Sequence, residues 1–397
     1  MCSGRGMIVF VASTPITIRF FFEAIIRQVY VSQPVSIIVD RKQASIEFDA
    51  LEKSFGSDVI DFSIPRKNSL KDLVQFPRFV LKIIFFHRVV RPTTLVSCSP
   101  KAAIYCAAVN VLTGRRIKHI YLIQGTVWVN SGGFMRAVYK LAERFVLFAS
   151  TNRLSVSRSE INVRKKHLAQ RLPPIDLLGC GAIRGVSKSY FCVDRRSEKT
   201  RSLKSRLLGC EASDSTVLGF VGRITDEKGI QVILDWYLAV SKFRGDFCLL
   251  LVGPDEMSDG LRVNLTQVQE TSGAQVIRVD YVRDPLPYYS VIDIFLMPSQ
   301  REGFGISAIE AAAAGGLVIA SDVGGLREAL GGGEAGLLVS ESQFDTVPEM
   351  ICGYAEDKQR LDRFVGAARS YIKEKYASPM VESRVSDYLL AKHQEAQ

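Results

Sequence analysis

A chain of 397 residues is longer than one ordinary core holds, so two domains are expected. Its 47% hydrophobic and 23% charged residues suit a globular α/β protein, and no apolar run reaches the ~20 residues that a spanning helix needs. The net charge of +10 is uneven: residues 1–190 hold 28 Lys+Arg against 11 Asp+Glu (+17) and the remainder 23 against 30 (−7), so the halves are expected to meet different partners.

In chain order, "MCSGRGMIVFVAS" has too short an apolar segment for a secretory signal and reads as a first buried strand. "PVSIIVD", "TTLVSCS", "KHIYLIQG" and "RLSVSRS" read as further buried strands of the first half. Helical patterns separate them: "IRFFFEAIIRQVYV", "DLVQFPRFVLKIIFFHRVV" and "GGFMRAVYKLAERFVLFAS". The second half repeats the alternation with "STVLGFVGR", "DFCLLLVGP", "AQVIRVDYV", "IDIFLMPS", "GLVIASD" and "GLLVS". Continuously apolar strands alternating with helices predict parallel sheets covered on both faces, an α/β class. A charged, strandless stretch at 190–214 marks the seam. The expected units are 1–192, 193–375 and a C-terminal helix, 376–397, packing back on the first. Two doubly wound, Rossmann-like domains facing across a cleft would place ligands at the carboxyl ends of their strands. The eight cysteines form no CxxC pair and several sit in apolar runs, as in a reduced, cytosolic chain. The four histidines have no metal-ligand spacing, and no metal site is expected.

Three glycine-rich stretches invite a phosphate reading. "GGGEAG" (331–336) satisfies G-x-G-x-x-G, but a helix precedes it and a strand follows, the reverse of a dinucleotide turn. "LLGCGAIRG" (177–185) follows a strand and leads into polar loop. "FVGRITDEKGI" (220–230) is more informative. A buried strand ends at Gly222, and Arg223 and Lys228 then precede a helix, as a diphosphate clamp requires. "PSQREGFGISAIEAAAAGG" (298–316) completes the pattern. The amides of Gly305, Ile306 and Ser307 open a helix toward an anion. Glu310, little more than a turn inside, can accept from a ribose diol, and Glu302 from hydroxyls beyond the phosphates.

These last two stretches resemble the retaining glycosyltransferases of GT-B fold whose signature is Glu, seven residues, Glu (family 4), most closely those that build bacterial capsule, exopolysaccharide and O-antigen. "DYVRDPLPYYSVIDIFLMPS" is similar to the segment before that signature, "LGCGAIRGVSKSYF" to its hinge loop and "STPITIRFFFEAIIRQV" to its N-terminal loop. The resemblance implies that Arg223 and Lys228 bind the diphosphate of a UDP-linked donor beside Gly222. It gives the ribose to Glu310, the donor sugar to Glu302, the edge of the base to Tyr281 and Val282, and the acceptor side to Thr14 and Arg19. It implies same-face attack, with no protein nucleophile and no cofactor. No Asp-x-Asp occurs, so cations and amides rather than a metal would hold the leaving group. Gln124 in "YLIQGTVW" stands where the family usually has His. Glutamine can hydrogen-bond a sugar hydroxyl but carries no proton, which implies either a changed donor preference, the reading favoured here, or a low activity.

A nucleotide-sugar epimerase or hydrolase on the same fold would want a catalytic carboxylate or His in the first half. A basic nucleic-acid-binding protein would show a recognised module, and none appears, so no nucleic acid is expected. The expected partners are the donor, a lipid-linked or oligosaccharide acceptor, and an anionic membrane surface at the inner face of the plasma membrane. "FPRFVLKIIFFHRVVRP" is the segment expected to touch that surface. Phe76, Phe79, Val80, Ile83 and Ile84 recur there at helical spacing among Arg78, Lys82, Arg88 and Arg91.

Overall fold

A computed structural model describes residues 6–64, 71–90, 92–126, 128–129, 131–168, 171–179, 181–208, 215–270 and 275–395. The chain forms two compact units, Met1–Arg184 with Pro379–Gln397, and Gly185–Ser378.

The apolar runs of the first half become parallel strands: β1 (Met7–Val11), β2 (Val35–Val39), β3 (Val59–Asp61), β4 (Pro92–Ser97), β5 (Lys118–Ile123), β6 (Asn152–Ser155) and β7 (Asp176–Leu177). Their order is β3-β2-β1-β4-β5-β6-β7. The reversal falls between β1 and β4, so the connections after these two strands leave to opposite sides and open a crevice at their carboxyl ends. β1 and β2 are buried throughout, as strands covered on both faces must be. β3 and β7 are too short to leave an apolar run in the sequence.

The helix Lys71–Val90 does not supply the expected membrane face. Phe79, Val80 and Ile83 are buried in the core of the first unit, and Phe76 and Ile84 pack against the same cluster. Periodicity finds an apolar stripe but not what covers it, and here the core does. Arg88 and Arg91 lie outside the described side chains. The helix Ser378–Gln394 belongs to the first unit, where Val381, Val385, Leu389 and His393 form its buried stripe. His393 Nδ1 lies 2.8 Å from Thr94 Oγ1, and the Tyr388 hydroxyl donates to Asp176 at 2.7 Å.

The second unit holds β8 (Thr216–Val221), β9 (Phe247–Val252), β10 (Val276–Val279), β11 (Ile294–Met297), β12 (Leu317–Ser321) and β13 (Leu337–Val339). The order is β10-β9-β8-β11-β12-β13, again parallel, with the reversal between β8 and β11. Part of the expected seam belongs here. Arg195 pairs with Asp293 at 2.6 Å, and a helix, Glu198–Leu208, follows, with residues 209–214 outside the described ones.

Candidate active site

The loops after β8 and β11 are pressed together by glycine. Gly229 is left-handed (φ +74°), and a Cβ there would stand 2.1 Å from the Pro298 carbonyl oxygen. Only glycine lets the turn Asp226–Lys228 approach the chain leaving β11 so closely. The Gln300 amide then donates to Glu227 O at 3.0 Å, and Arg301 pairs with the Glu227 carboxylate at 3.2 Å.

This approach brings Lys228 onto Glu302. The two form an ion pair in which 17% and 11% of the side chains remain exposed, and the Ser299 hydroxyl donates 3.1 Å to the same carboxylate oxygen. Arg223 stands at the end of β8, half exposed and paired with Glu256 Oε2 at 2.8 Å. An exposed pair of this kind contributes only ~0–1 kcal/mol, so an incoming anion can take the guanidinium. The two cations read from the sequence are thus each already on a carboxylate, and a diphosphate would have to compete with Glu256 and Glu302.

Beyond Glu302 the chain turns at Gly305 (φ +99°), which caps the helix Ile306–Ala313. The amides of Ile306 and Ser307 lie in its first turn, where N–H groups have no acceptor within the helix. Glu310, little more than a turn inside this helix, is also buried. It is 5% exposed, and the hydroxyl of Tyr289 donates to its Oε2 at 3.1 Å. Tyr289 lies in the helix Leu286–Val291, its ring tilted against Phe295 and Tyr190. Tyr289 and Ser299 therefore orient the two signature carboxylates, and neither has a sequence signal of its own. Tyr281 follows β10, exposed, its amide donating to Asp280 Oδ1 at 2.6 Å, with Val282 beside it.

The remaining expected residues belong to the first unit. At its own switch point the Ser13 hydroxyl meets the Ser99 hydroxyl at 3.2 Å. Thr14 caps the short helix Pro15–Thr17 by accepting from the Ile16 amide at 3.3 Å. Arg19 lies in a wide turn of helix, Ile18–Phe22, and pairs with Glu23. Gln124, just past β5, donates its amide nitrogen to Cys98 O at 3.0 Å, which leaves its carbonyl oxygen to accept from a hydroxyl.

Behind Gln124 lies a buried ionic network. Arg164 is fully buried and pairs with Glu160 at 2.6 Å and Glu143 at 2.7 Å. The same guanidinium donates to Gly125 O at 3.0 Å and Thr126 Oγ1 at 3.2 Å, while the Tyr121 hydroxyl donates to Glu143 at 3.0 Å. Burial alone would lower the Arg164 pKa, but Glu143 and Glu160 reverse this and hold it above the usual arginine value. Burial, then the Glu143 charge, pushes the Tyr121 phenol up.

Among the described residues, no three His, Cys, Asp or Glu side chains gather as a metal site, and no helix is long and apolar enough to cross a membrane.

Residues 215–357 match the family model of the glycosyl transferases group 1. The capsular polysaccharide biosynthesis glycosyltransferase CapM of Staphylococcus aureus is 26% identical over 80% of this chain and 81% of its own. The lipopolysaccharide 1,2-N-acetylglucosaminetransferase of Salmonella typhimurium is 29% identical over 45% of this chain and 49% of its own. The fold of Anabaena HepE, solved in complex with UDP-glucose, superposes with a TM-score of 0.74 at 15% identity, covering 97% of this chain and 99% of that one. With its β8 and β11 loops built around paired carboxylates and cations, this chain carries a glycosyl transferases group 1 domain on a GT-B fold, and it is a glycosyltransferase.

Proposed function

We propose that the protein transfers a sugar, with retention of anomeric configuration, from a UDP-linked donor to a lipid-linked acceptor in the synthesis of a cell-surface polysaccharide, at the inner face of the plasma membrane. The observation that carries the donor part is the Lys228–Glu302 pair, set at the β8/β11 switch point beside a helix N-terminus. A diphosphate arriving there draws Lys228 off Glu302. The lysine and Arg223 then face the phosphates with the amides of Gly305, Ile306 and Ser307, and Glu302 is released to accept hydrogen bonds from the donor sugar. Glu310, oriented by Tyr289, takes the ribose hydroxyls, and Tyr281 and Val282 border the base.

The sugar–phosphate C1–O bond breaks as the acceptor oxygen bonds to C1 on the same face. The acceptor proton passes to the departing diphosphate oxygen, so no protein nucleophile is needed. Charge developing on that diphosphate is met by cations and amides already in place, and no metal is called on. Gln124 and the acceptor-side residues Thr14 and Arg19 belong to the same reading, with the Gln124 carbonyl oxygen accepting from a sugar hydroxyl. The capsular and lipopolysaccharide relatives support a polysaccharide product, and the UDP-glucose complex of HepE supports the UDP donor.

The test is a panel of UDP-, GDP- and TDP-sugars incubated with membrane-extracted polyprenyl-linked acceptors, followed by proton NMR of the product. An α-linked product from an α-linked donor supports the reading. Inverted product, or release of free sugar only, overturns it.

A further inference from the structure

Arg223 and Lys228 rest on carboxylates that the surrounding chain anchors without their help. Glu256 belongs to the loop after β9, which is zipped to the loop after β8. The Ile224 amide donates to Pro254 O at 3.0 Å, and the Glu256 amide donates to Ile224 O at 3.1 Å. A Cβ on Gly253 would stand 1.9 Å from Gly222 O, so only glycine lets these two loops meet. In the Lys228 turn, Asp226 accepts from the Ser258 hydroxyl at 2.7 Å and from its amide at 3.1 Å, which ties the same loops a second time. Glu302 keeps the Ser299 hydroxyl at 3.1 Å, a contact that does not depend on Lys228. When a diphosphate takes the two cations, both carboxylates therefore stay beside it with their charge uncompensated.

The ligand's own charge changes across the reaction. The diphosphate of a sugar donor is esterified at both ends and carries two negative charges. Once the sugar has left, the freed terminal phosphate gains a third, since its second ionisation lies near pH ~6. Cations alone would thus hold the spent nucleoside diphosphate more tightly than the donor. We propose that Glu302 and Glu256 act as a product-release device: Glu302 takes Lys228 back once the sugar has left its carboxylate, Glu256 takes back Arg223, and the nucleoside diphosphate is displaced. The two carboxylates differ in what they oppose. Glu256 competes with donor and product alike. Glu302 competes with product only, because in the donor complex its oxygens are occupied by sugar hydroxyls. The inference rests on the donor reading proposed above and adds the regulation of that same site.

The experiment uses the full chain with UDP alone, in metal-free buffer at about pH 7.5, where the terminal phosphate is fully ionised. Isothermal titration gives the affinity, and phosphorus NMR line shapes give the release rate. Glu256→Gln should tighten UDP binding about two- to fivefold, and Glu302→Gln about tenfold, mostly through slower release. The two act on different cations, so the double variant should approach the product of the two effects. Asp259→Asn removes an exposed carboxylate three residues beyond Glu256. It should leave release within about twofold of the wild type, which separates an exchange of partners from a general loss of negative charge. Thermal melting checks that each variant folds. UDP leaving Glu302→Gln as fast as it leaves the wild type, or Asp259→Asn acting as strongly as Glu256→Gln, would overturn the inference. With UDP binding that Lys228→Ala still weakens, either result strikes the release device alone. A wild-type protein that does not bind UDP would remove the donor reading, and this inference with it.

Discussion

Replacing Arg164 by methionine tests how firmly the Gln124 loop is held. The substitution keeps much of the side-chain volume and removes the charge together with the guanidinium donors. Glu160 is left 3% exposed and Glu143 12% exposed, with no cation to pair, and Gly125 O and Thr126 lose a donor. Breaking a buried pair from one side costs about 3–5 kcal/mol, mostly because the stranded charge cannot reach water. For a unit of 203 residues (184 plus 19), at roughly 2–4 °C per kcal/mol, the transition should fall by about 6–20 °C. Scanning calorimetry at several pH values carries a second check. Carboxylates stranded in the folded state bind protons more readily than in the unfolded chain, so the deficit should narrow as pH drops from 7 toward 5. Adding Glu160→Gln and Glu143→Gln to the Arg164→Met variant should recover part of the loss. A fall of under about 1 kcal/mol with no pH dependence would refute the idea that this network fixes the loop.

Glu310→Gln should leave stability nearly unchanged, since an amide can still accept from Tyr289, yet cut kcat/KM by about tenfold or more by weakening the ribose contact; equal kcat/KM in the two proteins would remove that role. Gln124→His should change the ranking of donor sugars in a competition assay, and an unaltered ranking would show that this position does not read the sugar. Transfer should persist in EDTA, and loss that a divalent ion restores would contradict a diphosphate held by cations and amides. Burial, then the Arg153 charge, lowers the His119 pKa to about 3 from an ordinary 6.5, so the folded protein holds it neutral while the unfolded chain protonates. That contribution is complete above pH 6.5 and lost as pH falls toward 3, about 2 kcal/mol by pH 5. A His119→Gln variant should therefore show a shallower decline of Tm between pH 7 and 5, and parallel declines would refute the assignment.

Much of this was legible in the sequence because strands covered on both faces leave continuous apolar runs, and "MIVFVAS" or "DFCLLLVGP" can hardly be anything else. The loops after β8 and β11 were legible for a different reason. Glycines that permit close backbone approach, and charged residues beside them, occupy short contiguous stretches. What the sequence concealed lies between distant positions. Tyr121, Thr126, Glu143, Glu160 and Arg164 are separated by up to 43 residues, and Arg164 sits in "NVRKKH", which reads as solvated surface. The same limit applies to Lys71–Val90, whose apolar residues recur at helical spacing among cations, and only packing shows that the core consumes that stripe. Glu310 stands little more than a turn inside its helix, as expected, but its burial and its Tyr289 partner come from a helix with no signal in the sequence.

Isothermal titration of UDP into the wild-type protein and into Lys228→Ala tests the central claim most directly, because it isolates the diphosphate from sugar, acceptor and membrane. The account predicts saturable binding of one UDP in metal-free buffer, weakened by at least about tenfold in the variant, as loss of a charge-assisted contact worth about 1.5–3 kcal/mol requires. Absence of binding in the wild type, or equal affinity in the two proteins, would contradict it.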